Sequence, residues 1–310
     1  MLTLDSVSPR LHTGIRRFPS PGAVLELLKP VTWFPPMWAF ACGVVSSGVN
    51  MQGKWWLLAL GVALTGPLSC ASSQAVNDWF DRHVDAINEP QRPIPSGRIP
   101  GAWGLIIAIV WSSLAIAVGS AFGTAGLIAT CIAIALSWAY SAPPVRLKAD
   151  GWFGNAAVGV TYEGLAWITG AVVMLDAWPD GRIITLAVLY SVGAHGIMTL
   201  NDFKSVEGDR QLGVWSLPVQ LGAERAARLA GIVIVLPQVI AAALLLFVWH
   251  RPMHAVVLLA LITMQQILLP TFLRDPVKKA LWYSGFGVPF SVLGMMVCAH
   301  AIRSLAGITA

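Results

Sequence analysis

Long apolar segments alternate with shorter polar ones along almost the whole chain. Nine apolar segments are about 20 residues long, enough for a helix to cross a hydrocarbon core of about 30 Å. Helices satisfy their own backbone hydrogen bonds in lipid, and these runs are too long and continuous for barrel strands. The pattern predicts an all-α, polytopic membrane protein with nine transmembrane helices, at residues 31–49, 55–77, 102–119, 122–140, 153–173, 183–201, 226–248, 253–273 and 280–302.

The composition agrees with this class. Of the 310 residues, 56% are hydrophobic and only 11% are charged, whereas an ordinary soluble domain has about a quarter charged residues. We therefore expect the lipid bilayer, and no nucleic acid, as a partner. We also expect residues 1–29 to form a lead-in without a signal-peptide core, 30–303 a single transmembrane domain and 304–310 a tail.

The basic residues indicate the orientation of the chain. With the N-terminus placed in the cytoplasm, sixteen Lys and Arg residues fall in cytoplasmic segments and only four fall on the opposite side, namely Lys54, Arg182, Arg251 and Arg303. This is a strong positive-inside bias, and adding or removing one helix would scramble it. It predicts that the N-terminus and the two longest polar loops are cytoplasmic.

The two longest polar loops are 78–100 and 202–225, and each follows an even-numbered helix. An Asn-Asp pair, Asn77-Asp78 in one case and Asn201-Asp202 in the other, marks the point where the helix gives way to the loop. Four helices separate them, so both must emerge on one membrane face. The spacing suggests two parallel four-helix halves plus a ninth helix, with the acidic ends facing each other across a central cavity.

The acidic residues of the loops have helical spacing. If the second apolar helix continues, Asn77, Asp81 and Asp85 stand at i, i+4 and i+8, within roughly 80° of arc on one side. In the second loop, Asp202 and Asp209 are seven residues apart and share a face if the helix persists, although Gly208 could break it. Glu207 would then point away from both.

Clustered carboxylates repel one another unless cations compensate them. Oxygen-only ligands suit Mg²⁺, which usually joins a few carboxylates to substrate phosphates. The candidate ligands are Asn77, Asp78, Asp81, Asp85, Asp202 and Asp209. Basic residues suited to an anionic diphosphate lie around the same mouth: Arg82, Arg92, Arg98, Arg146, Lys148, Lys204 and Arg210. The alternative for one such loop alone is a solvated connector.

Three residues inside the helices are further candidates. Glu163 lies within the fifth helix, where a membrane-embedded acid is a functional candidate, for positioning substrate or pairing with a basic group. Tyr162 beside it could hydrogen-bond a phosphate. His195 in the sixth helix could ligate the magnesium of a bound substrate, but a neutral histidine hydrogen-bonded between helices is the commoner outcome.

Three strings resemble the UbiA superfamily of intramembrane prenyltransferases, in its chlorophyll synthase branch. They are "NDWFDRHVDAINEPQRPIPSGRIP", "YSAPPVRLKADGWFGN" and "NDFKSVEGDRQLGVWSLPVQLG", and the likeness spans most of residues 25–302. The superfamily motif NxxxDxxxD is matched by Asn77, Asp81 and Asp85. Its second motif is often DxxxD, but Ser205 stands where the first acid is expected, and Asp202 is placed to take over that role.

The resemblance implies a nine-helix bundle around a cavity capped by the polar loops. It implies that Mg²⁺ bridges the Asp motifs to geranylgeranyl or phytyl diphosphate, and that the chain is transferred to the propionate of a chlorophyllide or bacteriochlorophyllide with release of diphosphate. The implied catalytic residues are Asp81, Asp85, Asp202, Asp209 and Arg146. The implied location is the cell inner membrane in its photosynthetic intracytoplasmic form, where complexes with other pigment-biosynthesis or photosynthetic membrane proteins are a further expectation.

Two other functions remain open at this point. The same fold could prenylate a different acceptor, such as an aromatic acid, homogentisate or haem. A secondary transporter or pigment carrier would also fit nine helices and an internal repeat. Transporters usually bind near the bilayer midplane, whereas nearly all the acids here lie at one membrane face, which favours metal chemistry at that face.

Overall fold

The computed structural model describes residues 18–306 except Leu212, and within these residues the fold is all-α, as predicted. The one pairing of β type is an isolated bridge between Asp150 and Trp215. The helices are α1 (Pro21–Leu28), α2 (Phe34–Ser46), α3 (Trp55–Asn88), α4 (Trp103–Ser120), α5 (Gly123–Ser141), α6 (Gly151–Leu175), α7 (Gly181–Asp202), α8 (Val206–Gln211), α9 (Leu217–Leu221), α10 (Ala223–Val248), α11 (Pro252–Arg274), α12 (Pro276–Phe286) and α13 (Val288–Ala306).

The predicted count of nine spanning helices is not confirmed. Among the described residues, eight helical stretches are long and apolar enough to cross a membrane, with α12 and α13 together counting as one. The first predicted span, 31–49, contains only the 13-residue helix α2, which is about 20 Å long at 1.5 Å per residue. Pro35 and Pro36 occupy its first turn, where proline is tolerated but from which the helix cannot be extended backwards.

The predicted lead-in contains a short helix that the pattern did not reveal. Ser20 caps α1 by accepting a hydrogen bond from the backbone N–H of Ala23 at 3.3 Å. Leu27 of α1 is fully buried in a cluster with residues of α3 and α4. Residues 1–17 lie outside the described part of the chain, as do 307–310 of the predicted tail, and α13 runs on to Ala306.

Helices α2 and α6 approach each other closely through two glycines. A Cβ on Gly43 would lie 2.0 Å from the backbone oxygen of Trp167, and one on Gly170 would lie 2.2 Å from that of Phe40. Small residues allow such backbone contact, as is common between membrane helices. The indole of Trp167 adds a hydrogen bond of 3.1 Å to Ser46 Oγ. Together these contacts fix α6, which carries part of the cavity wall.

Three helices contain a wider, π-helical stretch: Leu64–Cys70 in α3, Gly159–Leu165 in α6 and Leu244–Val248 in α10. Pro67 lies inside the first of them and accounts for it, because proline cannot donate the usual backbone hydrogen bond. Such stretches occur often at functional sites. The first two contribute Cys70, Tyr162 and Glu163 to the region around the central cavity.

Backbone hydrogen bonds join the loop between α5 and α6 to the loop between α8 and α9. The N–H of Trp215 donates to the carbonyl of Ala149 at 2.8 Å, and the N–H of Gly151 donates to the carbonyl of Trp215 at 2.8 Å. The loop after α5 is therefore joined to the loop after α8. This linkage holds the segment that carries Arg146 and Lys148 beside the end of α7.

Candidate active site

A cavity of about 460 Å³ lies inside the bundle, between α2, α3, α5, α6, α7 and α13. Asn77, Tyr140, Asn201 and Lys204 contribute polar groups to its wall, and residues of α2 and α13 contribute apolar side chains to the same wall. Its size is typical of small-molecule sites, which take about 300–1,000 Å³. The two Asn-Asp segments therefore meet at one cavity, as their shared face and spacing predicted.

The first acidic motif is arranged along the last turns of α3. Asn77 lines the cavity and its amide lies 3.4 Å from Ser141 Oγ. Asp81 is paired with Lys148 at 2.5 Å and lies 3.7 Å from Arg146. The positive charges compensate an acid that would otherwise stand beside other carboxylates, and they come from the loop between α5 and α6.

Asp85 and Asp78 share one arginine. Arg92 Nη1 lies 2.9 Å from Asp85 and 3.4 Å from Asp78, and Lys29 donates to Asp78 at 2.6 Å. Asp78 is almost fully buried, and its Oδ2 atom has no hydrogen-bond partner. Asp78 thus links α3 to the end of α1, off the strip that Asn77 and Asp81 form.

The second motif differs from its prediction in one respect. Helix α7 ends at Asp202 and α8 begins at Val206, so the continuous helix that would place Asp202 and Asp209 on one face is not present. The break lies before the predicted breaker, Gly208. Asp202 accepts a hydrogen bond from Asn155 at 3.2 Å. The turn leaves Asp209 within electrostatic range of Asp202, so the two acids still form one group.

Ser205, which replaces an expected acid, supports the remaining one. Its hydroxyl lies 3.1 Å from Asp209 Oδ2. Burial raises the pKa of Asp209, while the hydrogen bond from Ser205 acts in the opposite direction. Glu207 is 72% exposed on its side chain and pairs with Arg210, so it points away from the site as predicted.

Burial also lowers the pKa of Lys148, although Asp81 acts to raise it. The side chain of Lys148 is only 11% exposed, so its charge faces the site and not bulk water. A buried ammonium paired with one carboxylate has spare donors for another anion. Among the described residues, however, Lys204 and not Lys148 lines the cavity.

Residues 31–296 match the UbiA prenyltransferase family. The chain belongs to this family. It is 53% identical over 97% of its length to the bacteriochlorophyll synthase 33 kDa chain of Cereibacter sphaeroides, of which it covers 98%. It is 41% identical over 89% of its length to the chloroplastic chlorophyll synthase of Oryza sativa subsp. japonica, of which it covers 76%.

The fold is that of a solved family member. A UbiA homolog from Archaeoglobus fulgidus, bound to GPP and Mg²⁺, superposes with a TM-score of 0.66 at 20% identity. The match covers 93% of this chain and all of the homolog. Membership and fold together make this chain a multi-pass membrane prenyltransferase.

Not every predicted residue of this UbiA chain reaches the cavity. Lys204 lines it, and Arg146 and Lys148 contact Asp81. Three other arginines have partners elsewhere in the structure. Arg82 stacks on Trp79 of its own helix, Arg98 pairs with Glu26 of α1, and Arg210 pairs with exposed Glu207.

The three candidates inside the helices differ in whether they line the cavity and in what they contact. Glu163 lines the cavity. Tyr162 also lines it, but its hydroxyl lies 2.8 Å from Ser73 Oγ and accepts from Cys70 at 3.2 Å, so it is engaged with α3. His195 packs against Trp152, with ring centroids 5.7 Å apart, and is absent from the cavity wall among the described residues. His195 therefore contacts an aromatic ring outside the cavity, and its hydrogen-bonded role between helices stays a prediction.

Sequence reasoning missed two residues that hold the acids. Asn155, 4% exposed, donates to Asp202 and also lies 3.3 Å from Thr199 Oγ1. Lys29, counted only as a cytoplasmic charge, binds Asp78. Asn155 ends the string "YSAPPVRLKADGWFGN", so a buried polar residue at the start of an otherwise apolar helix was the available signal.

The donor set can be compared with what a divalent cation needs. Within the described residues, three or more acidic, His or Cys side chains do not converge closely enough to form a complete cage. Instead, Asn77 of α3 and Asn201 of α7 line the cavity, and Asp81, Asp202 and Asp209 stand behind them within electrostatic range of Tyr140 in the same wall. Mg²⁺ keeps several waters and binds through one or two carboxylates plus substrate phosphates. This incomplete set of oxygen ligands fits such a cation.

Proposed function

We propose that this chain esterifies the propionate of a chlorophyllide or bacteriochlorophyllide with geranylgeranyl or phytyl diphosphate and releases diphosphate. The single observation that carries the proposal is the cavity that joins both acidic motifs, because it offers a charged mouth for a diphosphate and an apolar interior for a hydrocarbon. The similarity to a bacteriochlorophyll synthase and a chlorophyll synthase supports the pigment as acceptor.

The acidic motifs would hold the metal. Asp81, Asp85, Asp202 and Asp209, with Asn77, are the residues that would bind Mg²⁺. When bound, this cation supplies a positive charge that stabilises the leaving diphosphate. Lys148, Arg146 and Lys204 bind phosphate oxygens directly, which supplies further stabilisation of the charge that develops as the carbon–oxygen bond breaks.

The acceptor needs little chemical help from the protein. A propionate is ionised near neutral pH, so its oxygen attacks carbon 1 of the prenyl chain without a general base. The protein positions the propionate beside the prenyl chain and keeps water away from the reacting carbon. Water would quench an allylic cation, and the apolar part of the cavity, lined by residues such as Trp38, Val292 and Met295, excludes it.

The other two functions are less well supported. Membership of a prenyltransferase family favours group transfer over transport. A different acceptor on the same fold would match the site equally well in its charged part, but the relatives of highest reported identity carry names of pigment synthases. We further propose that the charged mouth faces the cytoplasm, on the basis of the sixteen-to-four distribution of basic residues.

Incubation of membranes containing the chain with substrates tests the proposal. Geranylgeranyl and phytyl diphosphates compete in one assay, and chlorophyllide and bacteriochlorophyllide compete in another, each with and without Mg²⁺. We expect esterified pigment that depends on Mg²⁺. Turnover of a non-pigment acceptor together with no esterified pigment would overturn the choice of substrate.

A further inference from the structure

Glu163 is a buried acid in the wall of the cavity that the proposed chemistry does not use. It is 8% exposed, and its Oε2 atom has no hydrogen-bond partner. It forms no ion pair with any described residue.

An unpartnered carboxyl inside a membrane helix is costly. Burying a polar group without a hydrogen bond destabilises the protein, and burying an ionised one destabilises it more. Acids within membrane spans therefore mark functional positions by default. Glu163 also lies within the π-helical stretch Gly159–Leu165, a local geometry that is common at functional sites. These two features indicate that a ligand supplies the missing partner.

The position of Glu163 excludes the diphosphate as that partner. Glu163 follows Asn155, which binds Asp202, by eight residues on the same helix. At 1.5 Å per residue this places it about 12 Å farther along the helix axis than the acidic mouth. A prenyl chain that reaches this depth offers neither a hydrogen-bond donor nor a cation, so it would leave the carboxyl unsatisfied.

We propose that Glu163 gives an oxygen ligand to the magnesium at the centre of the tetrapyrrole acceptor. This inference rests on the proposed function. Magnesium is a hard cation that prefers oxygen ligands, and in a flat macrocycle it has a free position on the face. The acceptor would lie with its propionate toward the mouth and its metal beside α6. His195 cannot supply this ligand, because it packs on Trp152 outside the cavity wall.

The test compares the affinities of two pigments, one with magnesium and one metal-free, for the purified protein. Binding is measured by pigment fluorescence for the wild type, Glu163→Gln and Glu163→Ala. We expect the wild type to bind the magnesium pigment at least about tenfold more tightly, in line with the effect of losing a supporting metal contact. Glu163→Ala should bind both pigments equally, and Glu163→Gln, which keeps an oxygen, should lie between them.

A matched control comes from the same helix and the same cavity wall. Thr161 donates to the carbonyl of Ala157 at 2.7 Å, so Thr161→Val removes polarity but no ligand and should keep the preference for magnesium. Resonance Raman spectra of the bound pigment should show the magnesium losing its axial ligand in Glu163→Ala. An unchanged preference in Glu163→Ala would overturn the inference.

The failure of this inference can be told apart from failure of the proposed function. If the wild type esterifies the pigment but Glu163→Ala keeps the full preference for magnesium, only the ligand role is wrong. Equal losses for both pigments would also refute it, because they would indicate a contact with a substituent of the macrocycle. If the wild type neither binds nor esterifies either pigment, the proposed function itself fails.

Discussion

At the scale of single residues, the site balances its acids with cations taken from other segments. Asp81 is held by Lys148 and Arg146, and Asp85 is held by Arg92. Carboxylates this close would otherwise repel one another. The pairing lets several acids share one cavity mouth, and it also presents basic groups where a diphosphate would enter.

Replacement of Asp81 tests the role of the first motif. Asp81→Asn keeps the size of the side chain but removes its charge, so we expect a loss of activity of at least about 100-fold, the scale seen when one electrostatic contact to the transition state is removed. Esterified pigment is measured at saturating Mg²⁺. Glu207→Gln, at an exposed position, is the control and should stay near wild type. Retained full activity in Asp81→Asn would rule out the metal role.

Replacement of Asn155 tests the support of Asp202. Asn155→Ala removes the 3.2 Å hydrogen bond to Asp202, and we expect about 10- to 100-fold weaker Mg²⁺ activation, as for other residues that orient metal ligands. The measurement is the Mg²⁺ concentration at half-maximal activity. Gln211→Ala, at an exposed position whose amide binds Glu207, is the control. The idea fails if the Mg²⁺ dependence of Asn155→Ala matches that of the wild type.

At the scale of helices, close packing and helix ends position the site. α2 and α6 touch through glycine backbones, and α6 in turn carries both Asn155 and Glu163. The turn between α7 and α8 gives the second motif its shape, since it separates Asp202, at the end of α7, from Asp209, in α8. Helical spacing alone predicts a straight continuation that places these two acids on one face, and it therefore misses the turn.

A substitution at the contact of α2 and α6 should separate the two helices. Gly43→Ala places a methyl group 2.0 Å from a backbone oxygen that cannot move freely, and overpacking of this kind costs about 1–3 kcal/mol. We expect a lower melting temperature in detergent and a distorted cavity. Gly285→Ala, on α12 with nothing within 4 Å of the added atom, is the control. Equal melting temperatures for the two variants would contradict the packing argument.

At the scale of the whole molecule, the helices separate two polar faces. The face with both acidic motifs carries the interlocked loops joined at Asp150 and Trp215. The face at the other end of α3 begins with the exposed side chains of Trp55 and Trp56, as expected for residues at a membrane–water interface. An enzyme of this shape would accept a charged head group at one face and keep hydrocarbon chains within the bilayer.

Labelling of single cysteines tests the proposed orientation. In a Cys131→Ser background, where the remaining cysteines Cys42, Cys70 and Cys298 are buried, Ser96→Cys should react with an impermeant reagent from the cytoplasmic side only, because its exposed loop follows the first acidic motif. Ala177→Cys, at an exposed position in the loop between α6 and α7, should react from the opposite side only. Each position is the control for the other. Reaction of each cysteine from the side opposite to the expected one would show that the orientation is the reverse of the one proposed.

Much of the fold could be read from the sequence, because membrane spans depend on local composition. Eight apolar runs appear as long helices near their predicted positions. The run at 31–49 contained a shorter helix, since prolines and the turn at Lys29 limit it on one side. The eight-residue helix α1 was missed because its stability comes from the burial of Leu27 against other helices and not from its own length.

The candidate site, like the fold, could be predicted from the sequence only in part. From the sequence alone we could predict that acidic and basic residues gather at one face, because topology fixes the side on which each loop emerges. The packing of the helices selects which side chains meet there. Asn155 binds Asp202 and Arg98 pairs with Glu26. Glu163 lines the cavity, whereas His195 contacts Trp152 outside it. The physical reason is that helical spacing gives the face of a residue, whereas its partner depends on how helices distant in the chain pack together.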